Sequence, residues 1–278
     1  MGCGGTTQIG TPADAERAEQ DKMIQVNLAR INRKLIVMSG KGGVGKSTFS
    51  SCMALLLSKK GFKVGLLDID LHGPSIPQLL NVKGGLDTSE EGKVRPYQVS
   101  KNLKVVSVGM LLGDKDAAVI WRGPLKISAI RQFISDIEWG DLDYLVVDSP
   151  PGTGDEPLTI VQTIPDAEAL IVTTPQEVSV ADVRKSVNFC KQVSIKVLGV
   201  VENMSGYTCP HCGEEMPIFG RGGAALMAEA MELDLLGSIP IDSRIVKRGD
   251  HGELDKLLDT PALEVNNAYN SIINKIIE

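Results

Sequence analysis

The stretch Ile36-Val37-Met38-Ser39-Gly40-Lys41-Gly42-Gly43-Val44-Gly45-Lys46-Ser47-Thr48 constrains this chain more than any other. It reads as a short apolar strand, a glycine-rich turn and the start of a helix that continues through Cys52-Met53-Ala54-Leu55-Leu56-Leu57. Within it Gly40, Gly45, Lys46 and Ser47 fill the pattern G-x-x-x-x-G-K-[ST], the spacing of a loop that cradles phosphates. Glycines let successive backbone N–H groups turn inward on an anion, because no Cβ blocks positive φ or close approach. The helix N-terminus adds unpaired donors and a partial positive charge. Gly40 to Thr48 are therefore the candidate nucleotide cradle, with Lys46 reaching the outer phosphates and the Ser47 hydroxyl placed for Mg²⁺. A second lysine, Lys41, precedes Lys46 in the loop. A loop whose phosphates are also touched by a neighbouring subunit has a use for it, since transition-state charge must be met by a cation. The plainer reading of Lys41 is a solvated loop lysine.

From that loop onward the text alternates as in a doubly wound α/β sheet, mostly parallel, with helices on both faces. Strands are predicted at Leu35–Met38, Lys63–Leu67, Leu103–Val108, Tyr144–Val147, Ala169–Thr173 and Val197–Val201. Helices are predicted at Lys46–Lys60, Pro124–Ile137, Glu156–Ile164 and Val180–Val193. Continuous apolar runs such as Tyr144-Leu145-Val146-Val147 are what a sheet covered on both faces requires. Residues 81–101 read as a surface insertion with a small hairpin, and Pro261–Glu278 as a docking helix with one apolar stripe. The organisation expected is a flexible tail over 1–22 and a single nucleotide-binding domain over 23–278, which includes a cysteine knuckle at 205–220. A short helix is expected over 23–33. Cys3 lies in the tail, and Gly2 with Thr6 meets a permissive acylation pattern to which no weight is given.

Ligands of an open parallel sheet bind beyond the carboxyl ends of its strands, and two acidic clusters fall there. Asp68-Ile69-Asp70 closes the second strand, and Asp148 closes the fourth before Ser149-Pro150-Pro151-Gly152-Thr153-Gly154-Asp155. A carboxylate after an apolar strand beside a phosphate loop is the expected Mg²⁺ partner, a role that suits Asp148 together with Ser47. Asp70 is the candidate for orienting the attacking water, and Asp68 for holding a Mg²⁺-bound water. Helix capping and turn formation are the competing explanations. Gly152 is free to swing its N–H toward a γ-phosphate, and His72 reads either as a proton relay or as a loop histidine with a hydrogen bond. The chain has no N-K-x-D motif for guanine, and Asn203 is the amide available to a base edge, so ATP is expected rather than GTP.

Of five cysteines, Cys209 and Cys212 form Cys-Pro-His-Cys-Gly, which aims two thiols at one soft metal. A four-coordinate site needs four ligands, and no second C-x-x-C exists. A two-fold homodimer completes the set on its axis, for Zn²⁺ or for an iron–sulfur cluster. A redox pair would sit at a helix start after a strand, which Gly213-Glu214-Glu215 suits poorly. Cys52 and Cys190 fall on apolar helix faces and read as core. The net charge of −6 offers no global basic field, so nucleic acid is not an expected partner. No apolar run approaches the ~20 residues that span a bilayer, and no signal core opens the chain, so a cytoplasmic protein with no membrane partner is expected.

With these pieces placed, the chain resembles the Mrp-type (ApbC) iron–sulfur cluster carrier ATPases, a MinD-like branch of the deviant Walker A P-loop proteins. The resemblance runs from about residue 33 to 250 and rests on Lys41–Thr48, Asp68–Pro77, Trp121-Arg122-Gly123-Pro124, Trp139 to Asp155, Glu202-Asn203-Met204-Ser205-Gly206 and the Cys209/Cys212 pair. It implies a homodimer with ATP facing the subunit interface and Lys41 contacting nucleotide across it. It implies catalytic and magnesium positions at Lys46, Ser47, Asp68, Asp70 and Asp148, and a labile [4Fe–4S] cluster bridged by Cys209 and Cys212 for delivery to apo iron–sulfur proteins. Some relatives carry an N-terminal four-cysteine motif, and only Cys3 stands in that region here, so no second, stable cluster is implied. Two other classes share the loop: a MinD/ParA-like positioning ATPase, which leaves the thiols unexplained, and a small-molecule kinase, which does not need them.

Overall fold

The computed structural model describes residues 12–71, 73–90, 92–110, 123–260 and 263–278. Cys3, Gly2, Thr6, His72, Trp121, Arg122 and Pro261, read above from the sequence, lie outside the described residues. Helix α1 (Pro12–Leu28) leads into β1 (Ile31–Met38), α2 (Lys46–Lys59), β2 (Val64–Asp68) and the single turn α3 (Ile76–Leu79). A hairpin of β3 (Asp87–Thr88) and β4 (Val94–Arg95) precedes β5 (Tyr97–Ser100) and β6 (Leu103–Ser107). Then come α4 (Gly123–Asp136), β7 (Leu142–Asp148), α5 (Asp155–Thr163), β8 (Glu168–Thr173), α6 (Glu177–Gln192) and β9 (Lys196–Asn203). A second hairpin, β10 (Tyr207–Thr208) and β11 (Glu215–Met216), is followed by α7 (Gly223–Ala230) and β12 (Leu235–Ile239). Three helices close the chain: α8 (Ser243–Asp250), α9 (Leu254–Leu258) and α10 (Glu264–Ile277).

Eight strands form one sheet in the order β12-β9-β8-β1-β7-β2-β6-β5, parallel throughout except for the edge pair β5–β6. Alternation divides each central strand between two cores. Leu35, Val37, Tyr144 and Val146 face α2 and α10, whereas Ile36, Met38, Leu145 and Val147 face α1, α4 and α5. Helices α6 and α7 extend the second face over Ile171 and Val200. Both faces are thus covered, which is why these strands carry continuous apolar runs, Leu35–Met38 in β1 and Tyr144–Val147 in β7.

All six predicted strands are present, most of them longer by a residue or more, and the hairpin expected inside residues 81–101 forms as β3–β4. Residues 12–22 are a correction to the expected tail, since α1 begins at Pro12. Tertiary contacts hold this helix: Ile24 and Leu28 are buried, and the Asn27 amide donates to the carbonyls of Ser135 (2.8 Å) and Ile137 (3.3 Å), closing the C-terminal end of α4. An Arg131–Asp21 ion pair adds to the seam. At the other end of the chain α10 docks as expected, burying Val265, Tyr269, Ile272, Ile273 and Ile276, with Tyr269 stacked on Phe49 of α2 at 6.1 Å. Each such side chain contributes about 1.5–3 kcal/mol on burial.

Candidate nucleotide and metal site

The loop from Ser39 to Gly45 leaves β1 between β7 and β8 and enters α2 at Lys46, with no side chain capping the helix. Those unpaired helical N–H groups are the donors an anion site uses. Gly43 (φ 80°) and Gly45 (φ 84°) sit in left-handed backbone. Gly40 is required by packing, since a Cβ there would lie 2.6 Å from the backbone carbon of Asp182 on α6. Gly42 is different: its φ is not left-handed, and a Cβ would meet open space among the described residues. Among the described residues nothing demands glycine at that point, and without a Cβ the backbone there is open to close approach. Val44 is buried, and Thr48 is half-buried in the first turn of α2.

Strand register brings the acidic clusters to this loop. Asp148 stands opposite Val37 of β1 and Asp68 of β2, and Asp68 stands opposite Ser107 of β6. The Lys46 ammonium lies 2.9 Å from Asp148 Oδ1 and 4.0 Å from Asp70 Oδ2. Ser47 Oγ donates to Asp148 Oδ2 at 2.6 Å, and Ser50 Oγ to Asp148 Oδ1 at 2.7 Å. Ser107 Oγ donates to Asp68 Oδ2 at 2.8 Å. Burial, reinforced by the neighbouring Asp148 charge, raises the Asp68 carboxyl from the ordinary 3.8 to about 7. Two fully buried carboxylates on adjacent strands, with one lysine between the clusters, form an oxygen-rich centre suited to a hard divalent cation. Beyond Asp70 opens a cleft of about 610 Å³ walled by Pro151, Gly154 and Asp155 and by the Lys126–Glu156 ion pair (2.6 Å).

The remaining nucleotide candidates take more specific places. Gly152 (φ 89°) donates its N–H to the Ser39 carbonyl at 2.8 Å, so turning toward a phosphate means exchanging that bond. Asn203, at the end of β9, gives its amide nitrogen to the Val44 carbonyl at 2.8 Å and so buttresses the loop. Lys41 reaches Gln176 at 3.5 Å, just before α6.

Cys209 and Cys212 lie on the β10–β11 hairpin, not at a helix start, and the turn is closed by Cys209 N–H to Glu214 and Gly213 N–H to Cys209, both 2.9 Å. Backbone N–H groups of His211 and Cys212, with the Cys212 thiol, hold the Cys209 thiol below its ordinary pKa. Cys209 is half-buried and Cys212 exposed, and among the described residues no three histidine, cysteine or carboxylate side chains are grouped to hold a metal, so the thiol pair has no third such ligand. Cys52 and Cys190 are core, as expected, with burial pushing their thiols up to about 12 and about 11. An apolar rim flanks hairpin and loop: Met216, Ile218 and Phe219 on the hairpin return, Val178 of α6 (70% exposed) and Leu226 of α7 (72% exposed). The N-termini of α6 and α7 are packed together there, since a Cβ at Gly223 would lie 2.3 Å from the Pro175 carbonyl.

Ser50 and Ser107 were not singled out by sequence, and neither was the role of Glu202. The signal for Ser50 was available, since it lies four residues after Lys46 on one helix face. Ser107 is paired with Asp68 only through register. Glu202, quoted above only as part of a motif, is buried and holds Ser205 Oγ (2.6 Å) and the Ala224 N–H of α7 (2.9 Å).

Comparison with known proteins agrees with this geometry. Residues 30–277 match the ParA family model described as NUBPL iron-transfer P-loop NTPase. An "Iron-sulfur cluster carrier protein" of Methanocaldococcus jannaschii is 46% identical over 262 residues, 94% of this chain and 89% of the relative. A "Cytosolic Fe-S cluster assembly factor NUBP2 homolog" of Nematostella vectensis is 45% identical over 262 residues, 91% of this chain and 96% of the relative. A solved nucleotide-binding protein of Archaeoglobus fulgidus, in complex with ADP, superposes with a TM-score of 0.75 at 40% identity, covering 88% of this chain and 98% of that one. The cell-division ATPase MinD of Pyrococcus furiosus shares the fold alone, with a TM-score of 0.64 at 22% identity over 88% of this chain and 98% of that one. The chain belongs to the ParA/NUBPL family of iron-transfer P-loop NTPases, whose similar relatives are iron–sulfur cluster carriers and assembly factors.

Proposed function

We propose that this protein is an ATP-dependent iron–sulfur cluster carrier that holds a labile [4Fe–4S] cluster across a homodimer and passes it to apo iron–sulfur proteins in the cytoplasm. One observation carries the reading. A solvent-facing pair of thiols, with no third ligand among the described residues, stands on the same rim of the sheet as a phosphate loop. A cubane cluster bound by four cysteines needs two such pairs. The exposed Val178, Ile218, Phe219 and Leu226 around both features give a second copy an apolar surface to cover.

In this reading Gly40 to Thr48 and Asn203 hold ATP, and Ser47 and Asp148 hold its Mg²⁺, which would supply charge neutralisation between the phosphates. Lys46 exchanges its contact with Asp148 for the outer phosphates. Asp70 faces the cleft where an attacking water enters and orients it, with Asp68 behind. Lys41, on the apolar rim, meets the partner's nucleotide and completes a slow hydrolase. Zinc is the competing cargo for the same thiols, because a Cys-Pro-x-Cys-Gly turn also serves zinc. Anaerobic reconstitution separates the two: about four irons and four sulfides per two chains are expected, lost in Cys209→Ala and transferable to an apo-recipient. Stoichiometric zinc, with no iron retained, overturns the proposal.

A further inference from the structure

The segment 203–206, which runs from a contact with the phosphate loop to the start of the thiol hairpin, is short and tied at both ends. At one end Asn203 Nδ2 holds the Val44 carbonyl at 2.8 Å. A Cβ on Gly45 would fall 2.2 Å from that nitrogen, so the Asn203 amide packs directly on the loop backbone, whereas Met204 Cε would be in no more than ordinary contact at 3.8 Å. At the other end Ser205 N–H donates to the Ile239 carbonyl (2.9 Å) and Ile241 N–H to the Gly206 carbonyl (2.8 Å), which fix the entry to β10 against the segment after β12. Glu202 braces the same turn through Ser205 and α7. Met204 stands between the two anchorages in left-handed backbone, φ 59°, a conformation that Gly206 two residues on (φ 83°) adopts at no cost but a methionine does not. Methionine rarely visits that region, and it stays there only when its surroundings impose it.

We propose that Met204 is the joint through which occupancy of the phosphate loop is passed to the Cys209/Cys212 hairpin. The inference rests on reading the loop as a nucleotide site. An anion that draws the Val44 and Gly45 amides inward displaces the Val44 carbonyl on the other side of the same peptide. Asn203 follows to keep its hydrogen bond to that carbonyl. Met204, held from beyond by Ser205 and Gly206, takes up the rotation, and β10 begins three residues later. Coupling between two sites requires an element with two arrangements that both sites bias, and a strained residue between two anchors is such an element.

The test is amide hydrogen exchange across residues 205–216 with and without Mg-ADP, at a concentration where sedimentation gives one mass in both conditions. Wild type is expected to slow by about fivefold on ADP. Met204→Gly, to which left-handed backbone costs nothing, is expected to bind ADP as tightly and to lose the response. Met204→Ala keeps the backbone demand and is expected to retain the response, which separates the joint from side-chain packing. A full response in Met204→Gly, or none in wild type that binds ADP, overturns the proposal. Failure of ADP to bind at all removes the nucleotide reading and this inference with it. A response in protein that never loads iron removes the carrier proposal and leaves the joint standing.

Discussion

Lys41 and Lys46 share one loop and stand in different electrostatic settings. Lys46 is buried between Asp148 and Asp70, whereas Lys41 is half-buried and touches only the neutral Gln176 among the contacts described. In the proposed function Lys46 serves its own nucleotide and Lys41 that of a second chain. A cation brought to the transition state from outside is worth several orders of magnitude in turnover, so Lys41→Ala is expected to lower ATP hydrolysis by about a hundredfold or more while nucleotide affinity changes little. Steady-state hydrolysis and equilibrium binding on one preparation check it, and a parallel loss of affinity would place Lys41 in ground-state binding. Asp68 gives a second residue-scale expectation. The folded chain keeps its proton to about 7, whereas the unfolded chain releases it near 3.8. The native state then binds more protons across that interval, and stability falls as pH rises through it, by at most about 1.4 kcal/mol per unit. Asp68→Asn removes this slope in urea unfolding of nucleotide-free, Mg²⁺-free protein; an unchanged slope would show that Asp68 ionises with an ordinary pKa. The loop and its two acidic clusters were legible in the sequence because each is a local string. Ser107 was not, because its bond to Asp68 exists only once β2 and β6 lie in register.

At the scale of elements, what the sequence displayed and what it hid have one cause. Strands β1, β2, β7 and β8 carry apolar runs because both their faces are covered, and those runs were legible; the polar first half of β1, Asn32 to Lys34, was not, and residues 31–33 were expected in a helix. Strand β12 was missed: Gly237 and Ser238 interrupt its apolar run. The structure supplies the reason for the glycine, since a Cβ at Gly237 would lie 2.7 Å from Ile272 Cγ1 of α10. Helix α8 was missed because Arg244, Lys247 and Arg248 leave it with little apolar stripe, and it is started by Asp242 accepting the Arg244 N–H at 2.9 Å. Helix α1 was misjudged at its start because its first turns carry polar residues. The docking of α10 was readable from its apolar spacing, and it carries a test. Ile272 is fully buried against β12 and α2, so Ile272→Ala is expected to cost about 2–5 kcal/mol in chemical unfolding without altering nucleotide affinity. A cost under about 1 kcal/mol would mean that α10 is a loosely attached appendage.

Taken whole, the molecule has most of its chemistry on one rim of the sheet. The strand ends there supply an anion cradle, a buried carboxylate pair and a two-thiol hairpin, with exposed apolar side chains between them. Among the described residues the thiol pair has no third ligand, and in the proposed function a two-fold axis through this rim completes both that set and the cations around the nucleotide. Among the described residues no helix is long and apolar enough to cross a membrane, and the exposed Val178, Ile218, Phe219 and Leu226 make the rim itself the place where a partner is expected. Native mass spectrometry of the anaerobically reconstituted protein tests this most directly. The account predicts a species of two chains carrying about four irons and four sulfides, reduced to bare single chains when Cys209 is replaced by alanine. A cluster or metal ion held stoichiometrically by one chain alone would contradict it.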